Sequence, residues 1–297
     1  MRALRPLRLG GLLRQRRTFS SQADFGFQDV DAKEKERLVK EVFSKVAEKY
    51  DLMNDCMSLG MHRLWKDYFV SSAGIHTAAR VDPTVIPRHL DVAGGTGDIA
   101  FRMVDLMARV YKDEFSRLVD SPQISDKPPA DRQIVVCDIN PDMLKVGRSR
   151  AEGAVGMRNS KVLGFVEGNA EELPFPPNSF DLYTIAFGLR NVTDKDKALA
   201  DAYRVLRKGG RLMVLEFSHV DFAPMQYLYD TYSFNIIPRM GQAIANDAAS
   251  YQYLVESIRR FPKQEELKKM IESAGFRCAT YENLQFGIVS IHSGFKL

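Results

Sequence analysis

The chain has 297 residues, 45% of them hydrophobic and 27% charged, with a formal net charge of +4. That is enough chain for one large domain or a domain with a tail, in a composition typical of globular proteins. No run of about 18 apolar residues occurs, which excludes a membrane-spanning helix and leaves only peripheral contact with a bilayer.

The three cysteines, Cys56, Cys137 and Cys278, form no CxxC pair. An odd, scattered set points to a reducing compartment without a disulfide framework. The five histidines do not cluster at zinc spacing, so no metal is expected. The first segment differs from the rest: Arg2, Arg5, Arg8, Arg14, Arg16 and Arg17 alternate with leucines, and no acid precedes Asp24. This is the composition of a mitochondrial transit peptide, with a cleavage-like Arg17-Thr18-Phe19-Ser20 that sets its end at residue 19. The alternative is a basic arm for RNA or lipid. Losing those six arginines takes the net charge from +4 to −2, so the basic pI belongs to the leader.

Residues 31–50 repeat Leu38, Val42, Val46 and Tyr50 at helical spacing, and 51–74 continue as a less regular helical region. Residues 20–74 therefore read as an N-terminal helical cap, and 75–297 as the main domain. There a short strand, RHLDVAG, runs into a glycine turn and the helix DIAFRMVDLMARVY. The polar, proline-containing stretch within 111–133 reads as a surface insertion. Strand QIVVCDIN, helix PDMLKVGRSRA, strand VLGFVEGN, loop ELPFPPNSF and strand DLYTIAFG follow. The helix KDKALADAYRVLR is expected to end at Gly209-Gly210, ahead of strand RLMVLEF. Residues 222–260 are aromatic and helical in pattern, suited to covering a substrate. Helix KQEELKKMIESAG and strands RCATYENL and GIVSIHSGFKL close the chain. Strand–helix alternation predicts an α/β fold, a mostly parallel sheet with helices on both faces.

Four segments fall at predicted strand ends, where open α/β sheets bind ligands. HLDVAGGTGD puts Gly95 and Gly97 in a tight turn before a helix N-terminus. Alone it is ambiguous, because Gly95-x-Gly97-x-x-Ala100 also fits a loose dinucleotide fingerprint. Asp138 ends the second strand, where a carboxylate can accept both ribose hydroxyls; a solvated strand-end aspartate is the plainer reading. EGNAEELPF offers Asn169 to an adenine amino group and the backbone of Ala170 to its ring, or is simply a polar turn. NSFDLYTIAFGLRN ends its strand at Phe187-Gly188, beside where a methyl group would be presented. A nicotinamide site gives no reason for all four in this order, whereas an S-adenosylmethionine site does.

VFSKVAEKYDLMND, HLDVAGGTGD, CDINPDML, EGNAEELPF, AFGLRNVTD, LRKGGRLMVLEFS and RRFPKQEELKKMIESAGF, in this order over roughly residues 30–297, resemble the ubiquinone/menaquinone biosynthesis C-methyltransferase family. The resemblance implies a class I S-adenosylmethionine-dependent methyltransferase with a Rossmann-like, seven-stranded, mostly parallel sheet. It implies S-adenosyl-L-methionine as cofactor, held by Thr96, Asp138, Asn169 and Ala170. It also implies methylation of a ring carbon of 2-methoxy-6-polyprenyl-1,4-benzoquinol in ubiquinone synthesis. Arg190, Asn191 and Tyr50, on the motifs GLRN and KYD, are then expected near the reacting ring. The family makes Arg190 the base, but a guanidinium pKa above about 12 favours stabilising a phenolate or ordering a water that takes the proton. The same resemblance implies the matrix side of the mitochondrial inner membrane, peripheral association, other ubiquinone-biosynthesis proteins as complex partners, and a homodimer. Residues 222–245 would line a channel for the polyprenyl tail, or pack as core or a dimer face. Nucleic acid is not an expected partner: the chain without its leader is not basic, and AFGLRN stands where base methyltransferases often carry Asn/Asp-Pro-Pro-Tyr. A non-catalytic scaffold is disfavoured by the intact glycine turn, acid and GLRN.

Overall fold

In this computed structural model the described residues are 22–46, 50–120, 128–153, 162–220 and 222–297, so the expected leader 1–19 lies outside them. A two-stranded antiparallel hairpin, β1 (Gln22–Phe25) and β2 (Gln28–Asp31), comes first. The charged, weakly alternating sequence gives it no clear signal. Helices α1 (Ala32–Val46), α2 (Tyr50–Ser58), α3 (Met61–Ser71) and α4 (Ile75–Val81) follow. On α3, His62, Trp65, Lys66, Phe69 and Val70 turn inward, the i, i+3, i+4 spacing of one helix face.

The body is a seven-stranded sheet. Its strands are β3 (His89–Val92), β4 (Ile134–Asp138), β5 (Leu163–Glu167), β6 (Phe180–Ala186), β7 (Leu206–Phe217), β8 (Arg277–Leu284) and β9 (Val289–Phe295). The order is β5-β4-β3-β6-β7-β9-β8; β3 to β7 pair in parallel, while β9 runs antiparallel to β7 and β8. Helices α5 (Asp98–Asp120), α6 (Pro141–Gly153) and α7 (Lys195–Val205) cross between the parallel strands. Strand order reverses between β3 and β6, so the crevice opens beyond β3, β4 and β6. Two apolar clusters fill the faces, one around Phe69, Met103 and Met107, the other around Leu90, Tyr183 and Phe276.

Helices α8 (Ala223–Asn235), α9 (Ile237–Ala245) and α10 (Ala248–Arg260) cover one end of the sheet, and α11 (Gln264–Ser273) packs before the antiparallel pair. The hairpin buckles onto α10. Phe25 stacks on Tyr253 at 4.2 Å, the Phe27 N–H donates to Glu256 Oε2 at 3.0 Å, and Arg260 pairs with Asp29 at 2.9 Å.

Two expectations are corrected. The stretch 111–133 is not wholly a surface insertion. α5 continues to Asp120 past a break at Lys112 (φ 40°), and Tyr111, Phe115 and Val119 are buried in the core. Those three lie four apart, a helical period that the surrounding charges obscure. The Gly209-Gly210 pair does not end a helix: α7 stops at Val205, and both glycines lie inside β7. Leu206 already pairs with Phe180, and the register shifts before Arg211 meets Leu182. Gly209 takes a left-handed φ of 82° there, which suits glycine at a strand irregularity.

Candidate active site

Strand β3 delivers the chain to a turn built of small residues. Ala93 (φ 51°), Gly95 (φ 50°) and Gly97 (φ 82°) all have left-handed backbones. At the neighbouring strand end, a Cβ on Gly188 would lie 2.4 Å from Ala93 Cβ. The methyl of Ala93 therefore fits only because position 188 has no side chain. Phe187, at the tip of β6, is also left-handed (φ 56°).

Around these ends lies a cavity lined among others by Gly95, Thr96, Asp138, Asn169, Ala170 and Asn191. Asp138 Oδ2 accepts the Gly95 N–H at 2.8 Å and Oδ1 accepts the Asn140 N–H at 2.8 Å. Each oxygen keeps a lone pair, so the carboxylate suits a ribose diol. Burial pushes its pKa up to about 6. Thr96 is buried, and its hydroxyl accepts from Arg150 Nη1 at 3.0 Å. Asn169 Oδ1 accepts the Glu171 N–H at 2.9 Å, shaping the turn that sets Ala170 on the wall. Gly97, expected among the cofactor contacts, is not among the lining residues; a Cβ there would face Phe101 at 3.2 Å.

A second cavity is walled mostly by aromatic and apolar side chains, Tyr229 and Tyr253 among them, together with Arg190. Phe43, Lys66 and Phe187 line both cavities and form the partition. Arg190 and Asn191, adjacent on the turn after β6, face different chambers: Arg190 lines the second and Asn191 the first. Arg190 is buried, and its partner is not a surface acid such as Asp194, which caps α7 by accepting the Lys197 N–H. Its Nη1 donates to Glu216 Oε1 at 2.9 Å and to the Phe187 carbonyl, while Nε is buried without a partner among the described residues. Asn191 Oδ1 accepts the Tyr253 hydroxyl at 3.0 Å. Tyr50 opens α2, but its side chain lies outside the described residues. From the 222–245 segment, Tyr229, Tyr232 and Ile237 line the second chamber.

Sequence reasoning missed several groups here. Asp91 lines the first cavity; its Oδ1 accepts the Thr184 hydroxyl at 2.8 Å, and Oδ2 is buried with no partner among the described residues. Burial raises its pKa to about 7. A lone carboxylate oxygen at a cavity wall suits an ammonium group such as the amino group of S-adenosylmethionine. A charged residue inside an apolar strand was its signal. Lys66 Nζ bonds Asp98 Oδ2 at 2.7 Å. Burial pushes Asp98 up, yet Lys66 and Arg102 outweigh it and hold the carboxyl below its usual range. Glu216 and His62 had no local signal. Among the described residues no cluster could hold a metal ion, and no helix is long and apolar enough to cross a membrane.

The family model for the ubiE/COQ5 methyltransferase family matches residues 30–296. The mitochondrial 2-methoxy-6-polyprenyl-1,4-benzoquinol methylase of Arabidopsis thaliana is 50% identical, over 98% of this chain and 97% of that protein. The protein of the same name from Drosophila melanogaster is 52% identical over 92% and 84%, and that from Homo sapiens 49% over 94% and 85%. Among solved structures, a SAM-dependent methyltransferase from Thermotoga maritima superposes with a TM-score of 0.50 at 17% identity, over 86% of this chain and 99% of that one, a likeness of fold. The chain belongs to the ubiE/COQ5 methyltransferase family, and its enzyme chemistry is methyl transfer from S-adenosylmethionine.

Proposed function

We propose that this chain methylates a ring carbon of 2-methoxy-6-polyprenyl-1,4-benzoquinol in mitochondrial ubiquinone synthesis. The observation that carries the reading is the pair of chambers meeting at Phe187, one ending on Asp138 and the other aromatic with a buried guanidinium. The names of the relatives supply the substrate class and the compartment.

S-adenosylmethionine supplies an electrophilic methyl group when bound, so the protein has to align it with a nucleophile and exclude water. Asp138 is suited to the ribose hydroxyls, Asp91 Oδ2 to the amino group, and Thr96, Asn169 and Ala170 to shaping the adenosine wall. The quinol ring belongs beyond the partition, against Phe187 and Phe217, with its tail running along Tyr232, Ile237 and Leu254. A ring carbon gains electron density as the neighbouring hydroxyl loses its proton, and fixed positive charge stabilises the phenolate that develops. Arg190 fills that role, positioned by Glu216, with Asn191 and Tyr50 assigned to assist it by the family motifs GLRN and KYD. An arginine does not take the proton itself. The substrate is the reduced quinol, because a quinone ring is electron-poor.

The leader 1–19 is removed on import, and the enzyme works on the matrix side of the inner membrane as a peripheral protein, as a homodimer and in company with other ubiquinone-biosynthesis proteins. The units are a helical cap at 20–74 and a methyltransferase domain at 75–297, covered by 222–260. The test is purified protein, S-adenosylmethionine and a short-tailed reduced quinol, read by mass spectrometry. One added methyl on the ring carbon is expected, with none on the oxidised quinone; an unmethylated quinol overturns the reading.

A further inference from the structure

We propose that His62, held by Asp55, is the group that accepts the ring hydroxyl's proton during methyl transfer. The proposal rests on the quinol reading above and assigns a catalytic role that the sequence motifs left open.

The geometry is that of an oriented imidazole. His62 Nε2 lies 2.8 Å from Asp55 Oδ1, and Arg63 fixes the same carboxylate through Nε and Nη2, both at 2.7 Å. The Arg63 and His62 hydrogen bonds hold the Asp55 carboxyl well below the usual carboxylate range, so it is ionised and accepts from Nε2–H. The neutral ring then carries its free lone pair on Nδ1. That atom is buried and has no hydrogen-bond partner among the described residues. A buried acceptor left unpaired is costly, which points to a donor brought by the ligand. His62 lines the aromatic chamber together with Arg190. Lys66, one helical turn along α3, borders both chambers, so the imidazole stands next to the partition through which the methyl must pass.

The other titratable groups of that chamber are poor acceptors. Lys66 is engaged with Asp98, and Arg190 with Glu216. Burial raises the pKa of Tyr229 to about 12 and also raises that of Tyr253, so both stay protonated. Burial and then the Lys66 charge lower the His62 pKa below 6.5, against the opposing pull of Asp55 and Asp98. The imidazole is neutral and ready at neutral pH. In the step, the O–H bond breaks toward Nδ1 and its electron pair moves into the ring. The ring carbon bonds the methyl carbon as the C–S bonding pair passes to sulfur. The methylated carbon then loses its proton to water while the imidazolium returns one to the oxygen, so one proton leaves overall.

The test compares wild type, His62→Gln and Asp55→Asn at 10 pH values or so with the short-tailed quinol, and measures S-adenosylmethionine affinity by calorimetry. Removal of a general base typically costs about 10²–10⁴-fold. His62→Gln is therefore expected to lose at least about 100-fold in kcat, with cofactor affinity and quinol KM near wild type. Wild-type kcat falls on the acid side, at a pH below the ordinary imidazole range, as His62 gains a proton, and the variant loses that limb. Asp55→Asn, which only reorients the ring, gives a smaller loss in kcat and moves the limb, and it serves the test alone where His62→Gln does not fold. Wild-type kcat and an unchanged acid limb in either folded variant overturn the proposal while leaving the quinol reading intact. An inactive wild type overturns the quinol reading, and with it this one.

Discussion

Glu216, at the end of β7, holds Arg190 from both sides of its residue: Oε1 accepts Nη1 at 2.9 Å, and Oε2 accepts the Arg190 backbone N–H at 3.3 Å. Neither side chain is more than 5% exposed. The guanidinium is thereby fixed in the aromatic chamber, over the Phe217 ring at 5.7 Å. Removing one partner of a buried ion pair strands the other charge, which costs about 3–5 kcal/mol. Glu216→Ala is expected to lose that much in urea unfolding. Arg190→Ala is expected to abolish quinol turnover while S-adenosylmethionine still binds in calorimetry. Wild-type turnover in Arg190→Ala would remove it from the mechanism.

Ala93 and Gly188 form a second dependent pair. The 2.4 Å approach means that Gly188→Ala must push two strand ends apart, and overpacking of this kind costs about 1–3 kcal/mol. Ala93→Gly removes the obstructing methyl and relieves a left-handed φ of 51°. The double variant is therefore expected to recover most of the stability lost by Gly188→Ala, a coupling that thermal denaturation of all four proteins reads directly.

Asp138 links cofactor binding to pH. Burial raises its pKa to about 6 from an ordinary 3.8. Between those values the folded chain holds a proton that the unfolded chain has lost, so this group's contribution to stability declines as pH rises through the window. Cofactor affinity should run the other way, because the ionised carboxylate is the better acceptor for ribose hydroxyls. Calorimetry from pH 5 to 7 is expected to show tightening binding, and Asp138→Asn to bind more weakly with a shallower dependence, because Asp91, raised to about 7, still titrates there.

Ile237 and Leu254 line the apolar part of the second chamber. Truncating either to alanine removes contacts that only a long tail would make, worth about 1–2 kcal/mol, or roughly ten-fold in KM. The expected pattern is a raised KM for long-tailed quinol with tail-less quinol unaffected. Equal changes for both would leave these helices as packing alone.

The parallel strands were legible because each is a short apolar run stopped by a glycine, an acid or an asparagine. The same local pattern pointed to Asp138 and Asn169, whereas Arg190 came from the family resemblance of the GLRN motif. What escaped was whatever depends on distant partners. Glu216 is 26 positions from the arginine that it holds, and nothing near it distinguishes a buried carboxylate from a solvated one. The Gly209-Gly210 pair looked like a helix stop, yet its bulge role depends on Phe180 in a neighbouring strand. Asp55 and His62 look like polar positions in a helical region until two helices bring them within 2.8 Å.

The buckle between the N-terminal hairpin and α10 bears on the order of assembly. Phe27 meets Glu256 across 229 positions, and Asp29 meets Arg260 across 231. Contacts so far apart in sequence form late, since the intervening loop must first be gathered in. During synthesis the early strands wait, unlatched, until the last quarter of the polypeptide emerges. The latch between the hairpin and α10 thus closes only after the chain through Arg260 is made.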